Sequence, residues 1–138
     1  MVFPQLYFGY VDGDIHSTHN IFSGGWVIYA PDDKLVSLQG ICIDRPTNNI
    51  IEYNIVVKLL SDVISHGIYC LVIRIDSQLM VLQLANDYSI RSPTTLRTFL
   101  RVHLLERHFD FISYEHISRN LNTLTDVLSN HVLDRNFQ

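Results

Sequence analysis

The feature that most constrains this chain is the apolar run Ile68–Ile75, broken only by Arg74 and ended by Asp76. Eight nearly continuous apolar residues, rich in β-branched types, describe a strand covered on both faces, at the centre of a sheet rather than its edge. A strand of that kind needs helices on the sheet's faces and partner strands on both sides. The rest of the sequence supplies them.

Upstream, Gln5–Val11 and Trp26–Ala30 read as strands, Gly24-Gly25 precedes the second, and Pro31-Asp32-Asp33 provides a turn before the alternating run Leu35–Ile43. This is an antiparallel meander of three strands. Pro46-Thr47-Asn48-Asn49 offers an N-cap. Ile51, Ile55, Val56, Leu59, Leu60, Val63 and Ile64 follow with helical spacing, and His66-Gly67 is a stop. Beyond Asp76 the chain predicts short helices over residues 77–86 and 93–108, a last strand over 109–117, and a closing amphipathic helix through Leu121, Leu124, Val127, Leu128 and Val132. The order βββαβααβα gives an α/β fold, with a five-stranded mixed sheet flanked by helices. At 138 residues, without a linker or low-complexity tract, residues 1–138 read as one domain.

No apolar run approaches the roughly 20 residues that cross a bilayer, and the first residues lack a secretory pattern. A soluble, intracellular chain of cytoplasm or nucleus is expected, with no membrane partner. Cys42 and Cys70 both fall in strand-like runs and read as buried free thiols. The net charge of −4, with two lysines and eight arginines, runs against the basic surface that phosphate contact favours. Bound divalent cations would reverse that balance locally.

Four acids occupy informative places. Asp12 ends the first strand, Glu52 lies in the first turn of the first helix, Asp76 ends the buried strand and Asp126 lies in the closing helix. If the first and fourth strands are parallel neighbours, Asp12 and Asp76 emerge side by side at the carboxyl edge, where open α/β sheets place their sites. Clustered carboxylates repel unless cations neutralise them, and oxygen-rich clusters suit Mg²⁺. Each acid also has an ordinary reading: Asp12-Gly13 as a turn, Glu52 as a dipole-favoured helix acid, Asp76-Ser77 as a cap and Asp126 as a solvated residue.

In order along the chain stand Tyr10-Val11-Asp12-Gly13, Gly24-Gly25, Thr47-Asn48-Asn49-Ile50-Ile51-Glu52-Tyr53, Asp76-Ser77-Gln78, and His116-Ile117-Ser118-Arg119-Asn120-Leu121-Asn122 leading to Asp126-Val127-Leu128. This succession resembles type 1 ribonuclease H, in particular the ribonuclease H-like domain of plant gypsy-type retrotransposons and related plant proteins, from about Tyr7 to Leu133. The resemblance implies a ribonuclease H-like fold and an endonuclease that hydrolyses the RNA strand of RNA–DNA hybrids. It implies two Mg²⁺ or Mn²⁺ ions held by Asp12, Glu52, Asp76 and Asp126, with Asp12 bridging them. His116, on a flexible loop, would assist proton transfer or product release. Thr47, Asn48, Asn49 and Gln78 match positions that contact the hybrid.

Some positions depart from the family pattern. Ile51, Thr125, Ser129 and Val27 are bulkier or more polar than usual, and residues 14–23 read as a polar loop with His16 and His19. Arg91, Arg97, Arg101 and Arg107 surround the helix before the last strand, but no compact basic protrusion appears. No metal ligand is lost. Weakened activity, or a catalytically idle nucleic-acid-binding or scaffold module, is the alternative. The chain reads equally as a free-standing protein or as a piece of a polyprotein beside a reverse transcriptase.

Overall fold

A computed structural model describes residues 5–16, 21–44, 50–86 and 89–122, with backbone alone for 12–16, 21–23, 42–44 and 50–51. The strands are β1 (Tyr7–His16), β2 (Ile21–Tyr29), β3 (Leu35–Asp44), β4 (Cys70–Ile75) and β5 (Phe111–His116). The helices are α1 (Ile50–Ser65), α2 (Gln78–Leu84) and α3 (Pro93–Glu106), and a 3₁₀ turn follows at Arg119–Asn122. One five-stranded sheet runs β3-β2-β1-β4-β5, with β1, β2 and β3 antiparallel and β4 and β5 parallel to β1's side of the sheet. The expected meander and mixed sheet are thus present. The closing helix lies outside the described residues.

The run that opened the sequence reading is β4, paired to β1 on one side and β5 on the other, with Leu71 and Ile73 fully buried. Arg74, the apparent break, points to the sheet face away from α1. There its guanidinium lies 4.6 Å from the Phe8 ring centre, donates to the Tyr10 hydroxyl at 2.5 Å and meets Glu115 at 3.1 Å. A cation stacked on rings and paired with a carboxylate is tolerated in a half-buried strand.

Helix α1 carries the core on its apolar stripe: Ile55, Val56, Leu59, Leu60 and Val63 are essentially inaccessible. It packs on β1, β2 and α3. Its approach to β1 is close at Gly9, where a Cβ would stand 3.1 Å from Leu59 Cδ1. The predicted stop holds: Gly67 adopts φ 70°, its N–H donates to Ile64 and that of Ile68 to Val63, which closes the helix with left-handed glycine. On the same interface the Trp26 indole N–H and the Ser37 hydroxyl both donate to Asp62 Oδ2, at 2.9 and 2.6 Å. Trp26 belongs to the core, at 7% exposed. Cys70 is a buried free thiol, and the side chain of Cys42 lies outside the described residues.

The first hairpin departs from expectation. In place of a loop over residues 14–23, β1 continues to His16 and β2 begins at Ile21, with Asp14 opposite Ser23 and Ile15 opposite Phe22. An antiparallel ladder tolerates polar residues at alternate positions because one face can remain in water. Polarity alone was therefore a poor guide to where the strands end.

Candidate active site at the carboxyl edge of the sheet

The parallel pairing of β1 and β4 ends with Tyr10 opposite Arg74. Asp12 and Asp76 each lie two residues beyond that last pair, on the side of the carboxyl edge. Asp12 does not end β1, which continues along β2 alone; its backbone stands opposite Gly25. Asp76 follows β4 directly, and Ser77 then caps α2 by accepting from the Met80 N–H at 3.3 Å. The strand thus hands the carboxylate to the edge, and the cap turns the chain away from it.

Glu52 comes from the first turn of α1. The residue as a whole is exposed, yet its carboxyl is pushed above the usual carboxylate range, first by desolvation and then by the charge of Asp76. Arg119, in the 3₁₀ turn after β5, opposes that rise. Asp76 Oδ2 is buried and has no hydrogen-bond partner among the described residues. A buried carboxylate oxygen without a donor, beside a second carboxylate whose ionisation is opposed, is a donor set suited to a hard divalent cation. Asp76 and Glu52 therefore fit such an ion.

His116 is the last residue of β5, opposite Ile75, and is exposed at the same edge. It stands in the strand itself, not in the flexible loop that the resemblance implied. The ladder continues past it, since the Ile117 N–H donates to the Ile75 carbonyl at 3.0 Å. Gln78 is the exposed first residue of α2. Thr47, Asn48, Asn49 and Asp126 lie outside the described residues, and the side chain of Asp12 is likewise not described.

Three neighbours carried no role in the sequence reading. Arg119 lay within a quoted motif, but only the fold sets it against Glu52. Tyr53 is buried, with its hydroxyl donating to Gln83 Oε1 and its pKa pushed up to about 12 by desolvation and by Glu52. No spacing rule links Tyr53 to Gln83, thirty residues apart. A cleft of about 180 Å³ opens here, bounded by Glu52, Ser77, Gln83, Arg91 and Thr95.

A mixed five-stranded sheet with its acids at the carboxyl edge has the ribonuclease H fold, and the chain belongs to the reverse transcriptase-like family, which it matches over residues 10–132. It is similar to the ribonuclease HI of Halobacterium salinarum, with 32% identity over 125 residues, 91% of this chain and 63% of that protein. The crystal structure of RNase H1 from that archaeon matches with a TM-score of 0.86 and 31% identity, covering 94% of this chain and 98% of the other. A bifunctional protein of Mycobacterium tuberculosis is 30% identical over 80% of this chain and 30% of its own length. Its N-terminal RNase H domain, solved as a fusion with maltose-binding protein, matches with a TM-score of 0.86 at 26% identity, covering 95% of each chain. LC11-RNase H1 in complex with an RNA/DNA hybrid shares the fold, with a TM-score of 0.85 at 23% identity over 96% of this chain and 99% of that one. The chain thus spans less than two-thirds of the length of both curated relatives.

Proposed function

We propose that this chain is a metal-dependent endonuclease that hydrolyses the RNA strand of RNA–DNA hybrids. The observation that carries the reading is the buried oxygen of Asp76, without a hydrogen-bond partner among the described residues and set beside Glu52 at the carboxyl end of β4. Kinship with ribonucleases HI supports the choice of substrate. So does the hybrid bound by LC11-RNase H1.

In this reading Asp12, Glu52, Asp76 and Asp126 hold Mg²⁺ or Mn²⁺. Two such ions would lower the pKa of an attacking water and stabilise the leaving oxygen of the phosphodiester. The protein's own part is to fix the carboxylates before substrate arrives, so that no reorganisation is needed during reaction. His116, exposed at the edge, moves a proton between solvent and the reacting phosphate. Gln78, with Thr47, Asn48 and Asn49, contacts the hybrid, whose 2′-hydroxyls and wide minor groove distinguish it from duplex DNA. The finer kinship with plant gypsy-type retrotransposon domains rests on the motifs around Thr47, Asp76 and His116, and a reverse transcriptase would be a neighbour if the chain is a piece of a polyprotein. Among the described residues no helix is long and apolar enough to cross a membrane.

The test is cleavage of an end-labelled hybrid in Mg²⁺ or Mn²⁺ by wild type and by Asp12→Asn and Asp76→Asn. Wild type should cut the RNA strand, leaving 3′-hydroxyl and 5′-phosphate ends, and both variants should lose the activity. Equal rates for all three would sink the proposal. An idle scaffold is the second reading, favoured by the short segment between α2 and α3, which offers Arg91 in place of a basic protrusion. Calorimetry with Mn²⁺ separates the two, since a scaffold has no need to bind the ion.

A further inference from the structure

We propose that Tyr53 is a positioning residue that holds Glu52 against Asp76 by tying α1 to α2 through Gln83. The inference rests on the metal site proposed above. Carboxylates set side by side repel, so a first helical turn that carries one of them needs an uncharged restraint. Helix ends also fray most readily.

The restraint available is Tyr53. It follows Glu52 directly, is only 3% exposed, and donates its hydroxyl to Gln83 Oε1. Gln83 lies on α2, which begins two residues after Asp76. Elsewhere α1 packs on β1, β2 and α3, whereas α2 packs on β4 and β5, so the two helices share little direct packing. The Tyr53–Gln83 bond therefore joins the element that carries Glu52 to the one that follows Asp76. Successive helical side chains point about 100° apart. Tyr53 consequently turns into the core without competing with Glu52 for the ion.

Tyr53→Phe keeps the ring in the core and removes only the hydroxyl; Gln83→Met removes the acceptor at similar volume. Both variants should bind Mn²⁺ roughly fivefold to tenfold more weakly by calorimetry. Their kcat at limiting metal should fall and recover when Mn²⁺ is raised, while KM for the hybrid stays unchanged. The double variant should be no worse than either single one. If wild type binds Mn²⁺ and both variants, folded by circular dichroism, bind it equally well, Tyr53 is merely structural and the inference is overturned. If wild type binds no Mn²⁺, the metal site itself fails and the inference falls with it.

Discussion

The Trp26 indole and the Asp62 carboxylate meet at 2.9 Å across the interface between sheet and helix, and Ser37 donates to the same oxygen at 2.6 Å. One carboxylate thus ties β2, β3 and α1 together. Asp62→Ala would leave two buried donors unsatisfied, at a cost of roughly 2–4 kcal/mol. Urea unfolding should show a lower midpoint with an unchanged slope, and mixing wild-type and variant data with Trp26→Phe should reveal non-additivity.

Arg74 makes a second tie, on the opposite face of the sheet. Lysine keeps its charge but loses the planar stack over Phe8 and the fork that reaches both Tyr10 and Glu115. Arg74→Lys should destabilise by about 1–2 kcal/mol. Because Glu115 is half exposed, raised salt should change that penalty only slightly.

The metal-free protein should show an unusual pH dependence. Glu52 holds its proton more tightly when folded than when unfolded. Its contribution is therefore fully present below its unfolded pKa and is lost as pH rises through the higher folded value. In EDTA, the thermal midpoint should decline across that window for wild type and not for Glu52→Gln. Mn²⁺ at pH 7 should stabilise wild type by binding the folded state and leave Glu52→Gln nearly unmoved.

His116 is exposed and, among the described residues, bonded through its backbone ladder alone, so His116→Ala should leave the thermal midpoint and Mn²⁺ affinity intact. Its loss should lower kcat on the hybrid by about a hundredfold, within the range for a positioned proton carrier. A rise in KM or a loss of metal affinity instead would show that His116 acts in binding.

Legibility in the sequence followed the physics of each element. The buried strand β4 and helix α1 were readable because burial on two faces, or along one stripe, forces a simple hydrophobic period. Glycine at φ 70° likewise made the end of α1 readable through Gly67. The first hairpin was misjudged because an antiparallel ladder can carry polar residues as readily as a loop does. Of the proposed ligands, Glu52 and Asp76 were visible as acids at element ends, whereas Asp12 was placed at the end of a strand that in fact continues to His16. Tyr53, Gln83 and Arg119 were not visible, since their roles depend on which helix lies against which, a matter of tertiary geometry with no local period.

The pairing of β1 with β4 has a consequence for how the molecule is made. β1, β2 and β3 pair through short hairpins, so that half of the sheet can assemble while synthesis is still under way. β4 joins β1 only after some sixty further residues have emerged, a long-range closure that folds slowly. Asp12 and Asp76 therefore cannot share an edge until β4 has been made, however early the meander forms.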